Sequence, residues 1–91
     1  MQFRITRHSG HAAPPNAIEL LARRLGAQLG DTSFAVRGAE ISATWQGGRQ
    51  GTSARENLTE IGRWAVFELV RDVCEDAPEL NTEWFAVSPA D

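Results

Sequence analysis

Three groups of residues in this 91-residue chain have types and spacing that could do chemistry. The first is His8 and His11, a His-x-x-His pair inside the run HSGHAAPP. Two imidazoles so spaced could hold part of a metal site or supply a general base. No cysteine or tight carboxylate cluster stands nearby to complete a ligand set, and no partner for a base is identifiable. Neither a metal, a cofactor nor a catalytic residue is therefore assigned.

The second group is the loop 46–52, QGGRQGT, and the helix start that follows it. Three glycines and Arg49 precede a helix N-terminus, where unpaired N–H groups and the macrodipole favour an anion. Arg49, Arg55 and the amides near Ser53 are the groups that would hold one. The run is neither GxxxxGK[ST] nor GxGxxG, and it follows a hairpin rather than the first strand of a βαβ unit. A connection from strand to helix is the expectation, with an anion or nucleic-acid binder as the alternative function.

The third is Cys74, the only cysteine, so no internal disulfide can form. Asp72, Glu75 and Asp76 surround it in sequence and should raise its pKa, which disfavours the thiolate. A small buried hydrophobe is expected there, not a nucleophile.

Composition bounds what these groups can belong to. The length suits one domain, residues 1–91, with 88–91 as a tail. The chain is 42% hydrophobic and 23% charged, ordinary for a globular protein. No apolar run reaches about 18 residues, and MQFRITRHSG lacks the apolar centre of a signal peptide. A soluble, cytoplasmic protein with no membrane contact is expected. All nine basic residues are arginine, in the manner of a GC-rich, bacterial-type coding sequence. Residues 1–55 carry a net charge of +4 and residues 56–91 a net charge of −7, which sum to the −3 of the chain. Such asymmetry can steer association, self-association included.

The elements that must position these residues follow from periodicity. Residues 2–7 alternate as a half-buried strand, with Phe3 and Ile5 inward. Asn16 and Glu19 make a capping box ahead of an amphipathic helix of Ile18, Leu21, Ala22, Leu25 and Leu29, which Gly30 ends. Residues 33–46 read as a hairpin turning at Gly38-Ala39, with Phe34 and Val36 on one strand and Ile41, Ala43 and Trp45 on the other. Ser53 and Glu56 form a second capping box for the longest helix, which runs to about Ala77 before Pro78. EWFAV, 83–87, is the last strand.

The long helix has a core face spanning an arc of about 180°, made of Leu58, Ile61, Gly62, Ala65, Val66, Leu69, Val70 and Val73. Gly62 within it would permit close approach of the backbone. Trp64 and Phe67 break the pattern, because they project among the charges of the other side. Each would gain on the order of 2–3 kcal/mol from full burial. Trp84 adds a third surplus ring.

The order β-α-β-β-α-β implies an α+β, ferredoxin-like two-layer sandwich: a four-stranded, mainly antiparallel sheet with both helices on one face. A small sandwich with a mixed sheet is the alternative. The strands turn Gln2, Arg4, Thr6, Ser42 and Thr44 outward, without the aromatic rings an RNA-recognition sheet needs. The function expected is a small non-catalytic module for protein interaction or oligomerisation, with Trp64, Phe67 and Trp84 as its interface. Its partner would be a protein or a second copy in a homodimer, and not nucleic acid.

Overall fold

The computed structural model describes residues 2–8, 10, 13–29, 34–45 and 55–90, and the side chains of these except 27–29 and 55–58. The elements are β1 (Gln2–Arg7), α1 (Ala17–Leu29), β2 (Phe34–Arg37), β3 (Glu40–Thr44), α2 (Arg55–Glu75) and β4 (Phe85–Pro89), with a 3-10 turn over Thr82–Trp84 ahead of β4. They form an α+β two-layer structure: an antiparallel open sheet of strand order β2-β3-β1-β4 and two helices.

The register places apolar residues in rows across the strands. Phe3 lies between Ala43 and Pro89, and Ile5 between Ile41 and Val87. Phe34 and Val36 of β2 continue those rows beyond Ala43 and Ile41. Strand alternation sends all of these side chains to one face. Phe3, Ile5, Ile41, Ala43, Phe85 and Val87 are buried there with Ile18, Leu21 and Leu25 of α1 and Val66, Val70 and Val73 of α2. The opposite face is polar, and Gln2 links its neighbours by donating to Thr44 Oγ1 at 2.9 Å and accepting from Ser42 Oγ at 3.2 Å.

The turn at Gly38-Ala39 is a two-residue hairpin closed by Arg37 opposite Glu40. Gly38 has φ +62°, which a side chain would disfavour. Gly62 serves the other purpose expected of it. A Cβ built there would lie 2.5 Å from Cε3 of Trp45 and 2.6 Å from Cζ of Phe3. The two rings meet edge to face, with centroids 6.4 Å apart, directly under the α2 backbone.

Two expectations need correction. The buried face of α2 is narrower than 180°: Gly62, Val66, Val70 and Val73 are buried, with Cys74 and Ala77 just beyond them. Ile61, at 52%, and Leu69, at 38%, are exposed instead. A helix lying on a sheet buries roughly a third of its circumference, and the remaining apolar flank has only side neighbours to cover it. The last strand also starts later, at Phe85, and runs through Ser88 and Pro89. Asn81 accepts a hydrogen bond from the Glu83 N–H at 2.9 Å and curls Thr82–Trp84 into the 3-10 turn. Residues 88–89 are thus sheet, and Ala90 still donates to the Gln2 carbonyl at 3.0 Å.

Candidate functional site

The outer surface of α2 holds the strongest candidate. Its cause is local: Trp64 and Phe67 stand three residues apart on a helix, which makes them neighbours. Their rings meet edge to face at 5.9 Å with an interplanar angle of 90°. Arg63 lies over the Trp64 ring at 5.3 Å and is itself held by Glu60, its Nη2 donating at 3.1 Å to the carboxylate. Phe67 packs partly against the core, which anchors the pair. Trp64 remains 53% exposed, with exposed Ile61 one turn earlier on the helix.

Trp84, the third interface candidate, comes from the 3-10 turn ahead of β4. It packs partly on the core and lines an open cleft of about 380 Å³ at the C-terminal end of α2, with Cys74, Glu75, Pro78, Leu80 and Thr82 among the other walls. Trp64 and Phe67 thus form one ring pair, whereas Trp84 lines the cleft at the end of α2.

Cys74 is buried, and burial is the main cause pushing its thiol pKa up; a hydrogen bond with Thr82 acts the other way. The direction agrees with the reading from sequence, but the cause is desolvation rather than the acidic neighbours. His8 is exposed. Its Nδ1 accepts from the Gly10 N–H at 3.2 Å, and its backbone N–H donates to the Trp84 carbonyl at 2.6 Å. His11 lies outside the described residues. Among the described residues, no group of three His, Cys, Asp or Glu side chains is placed to hold a metal ion. Of the anion candidates, Arg49 and Ser53 lie outside the described residues, and Arg55 is the first residue of α2.

One polar contact escaped the sequence reading. Arg24 of α1 donates from Nη2 to both oxygens of Glu79, at 2.9 and 2.8 Å, and so ties α1 to the segment after α2. That hydrogen bond holds the Glu79 carboxyl below the usual glutamate range and raises Arg24 further. The partners are 55 positions apart, so no local spacing announces them. Among the described residues no helix is long and apolar enough to cross a membrane. In comparisons with protein-family models, curated proteins and solved structures, no match was found.

Proposed function

We propose that this chain is a small, non-catalytic protein-interaction module of the cytoplasm that also self-associates as a homodimer, with the outer face of α2 as the contact for a protein partner. One observation carries the reading. Trp64 is 53% exposed, yet the Phe67 ring and the Arg63–Glu60 pair already fix its position. A wet tryptophan with a settled position is the kind of residue that anchors interfaces, because little rotamer entropy is lost when it docks. Exposed Ile61 widens the apolar area, and the charges of Glu60, Arg63 and Glu68 supply a polar rim.

The fold reading behind this proposal is ferredoxin-like. Taken from its other edge, the sheet runs β4-β1-β3-β2. β1-α1-β2 and β3-α2-β4 are two crossover units, and each leaves a gap that a strand of the other fills. That interleaving supports the split βαβ arrangement.

The test compares Trp64→Ala with the parent protein. The substitution should leave the folded state nearly as stable, since the ring is half in water, while partners held by the parent are lost. Cross-linked pull-downs unchanged by Trp64→Ala, together with a monodisperse monomer at millimolar concentration, would overturn the proposal. Salt-reversible retention on a polyanion column would point instead to the loop 46–55 and an anionic ligand.

A further inference from the structure

Among the described residues, the two outer edges of the sheet, β4 and β2, are built differently. Ala90 N–H donates to the Gln2 carbonyl and His8 N–H to the Trp84 carbonyl. These bonds fix the alternation of the β1–β4 ladder: Gln2, Arg4, Thr6 and His8 point their backbone groups at β4, opposite Ala90, Ser88, Ala86 and Trp84. Phe85, Val87 and Pro89 therefore turn theirs to the outer edge of β4. Pro89 has no N–H, and the Phe85 N–H is already bonded to the Thr82 carbonyl. That edge is blunted at both ends.

The same alternation, carried across the sheet, governs β2. Phe3 and Ile5 face β3 and bond with Ala43 and Ile41, so Ser42 and Glu40 bond with Ala35 and Arg37. The N–H and C=O groups of Phe34 and Val36 consequently point away from the sheet. β2 has no proline or lysine to protect it. Its outward-bonding residues are apolar, and Val36 is 53% exposed.

We propose that the β2 edge pairs with the β2 edge of a second copy, joining two sheets into one of eight strands. It rests on the self-association part of the reading above, but at a different surface from Trp64. The edge is complementary to itself. In an antiparallel pair with Phe34 opposite Val36 of the other copy, Ala35 faces its own equivalent on a two-fold axis. All the outward groups of Phe34 and Val36 are then used, in four hydrogen bonds. The side chains of both copies stay on the helix-covered face, so Val36 of each is covered by Phe34 of the other. The Arg37 residues fall at opposite ends of the pair, where their like charges do not meet.

Two four-residue strands alone bury less than the roughly 1,200 Å² that a stable dimer needs. The flank of α1 beside the edge is where further apolar surface would be covered. It presents Ala22 and Gly26 over a small apolar cleft of about 80 Å³ that Phe34, Val36 and Ile41 also line. Nothing lies within 4 Å of a Cβ built on Gly26, so the second copy can approach closely there.

Sedimentation velocity from micromolar to millimolar protein, on the full chain, tests this. The parent should show a monomer–dimer equilibrium. Val36→Pro deletes one outward N–H per copy and none that faces β3, so two hydrogen bonds per dimer are lost, weakening the dissociation constant roughly tenfold or more. Val36→Lys should dissociate the dimer with the ladder to β3 intact, and Trp64→Ala should remain dimeric. Amide exchange gives a readout that needs no variant: the N–H groups of Phe34 and Val36 should gain protection with concentration, while those of Ala35 and Arg37 are protected throughout. A parent that is monomeric at millimolar concentration overturns the proposal. So do Phe34 and Val36 amides that exchange fast at every concentration, or a Val36→Lys protein as dimeric as the parent. Dissociation by Trp64→Ala but not by Val36→Lys would overturn it and leave the α2 contact standing.

Discussion

Replacing Gly62 by alanine should destabilise the protein, although alanine is the better helix former. In an exposed helix the exchange favours alanine by about 0.8–1 kcal/mol. At position 62 the new methyl would sit 2.5 Å from Trp45 and 2.6 Å from Phe3, roughly 1 Å inside ordinary contact distance. Neither ring can yield by a simple torsion at its far end: Phe3 is wholly buried, and Trp45 lies edge-on against it. Overpacking of this kind costs about 1–3 kcal/mol, and with two rings to displace the upper part of that range applies. The net loss is on the order of 2 kcal/mol, which for a domain of this size lowers Tm by roughly 8–16 °C. Gly26→Ala is the matched control, because it lies in α1 with nothing near its would-be Cβ. It should gain about 0.5–1 kcal/mol. Urea titrations of both variants in dilute protein, with the double mutant Gly62→Ala/Trp45→Leu to measure coupling, decide the matter. If Gly62→Ala were as stable as Gly26→Ala, or if shrinking Trp45 recovered nothing, the close packing of α2 on these rings would be refuted.

Three further expectations follow from single contacts. Gly38→Ala places a side chain at φ +62° and should cost about 1–2 kcal/mol in urea titration. A wild-type midpoint for this variant would mean that the turn relaxes freely. The Glu79 carboxyl has its pKa lowered by Arg24, so its contribution is complete above the unfolded glutamate value of about 4.3 and is lost as pH falls through the lower folded value. The stability advantage of the parent over Glu79→Gln should therefore shrink on acidification below pH ~4, and a constant difference would contradict the pairing. The Cys74 pKa is raised by burial, so stability should fall as pH rises past the ordinary thiol value of about 8.5 toward the folded one. Native Cys74 should meanwhile react with iodoacetamide far more slowly than in urea, and equal rates would show an open thiol.

Much of the layer structure was legible in the chain itself. Period-two alternation marked Phe3/Ile5 and Ile41/Ala43, and period 3.6 marked Ile18, Leu21 and Leu25, because burial of one face imposes those spacings. Gly38-Ala39 announced the hairpin turn, and Gly62 in an apolar stripe announced a close approach. Trp64 and Phe67 stood out as rings among charges, and Trp64 is exposed in the fold. The boundary of β4 was not legible, because the Asn81 cap that curls residues 82–84 competes locally with the alternation of EWFAV.

What the sequence by itself determined was therefore the set of elements, their apolar arcs and the hairpin turn at Gly38-Ala39, since these depend on neighbours within about four residues. Only the tertiary structure decided which part of each apolar arc became dry. Ile61 and Leu69 satisfy the same helical pattern as Val66 and Val70, yet only the latter two are buried, and no spacing along the helix distinguishes them. Strand order likewise decided that β2 would be an edge with its Val36 uncovered, and that Arg24 would meet Glu79 across the chain. Pairing between strands and packing between layers are non-local contacts, and a linear pattern carries their chemistry without their partners.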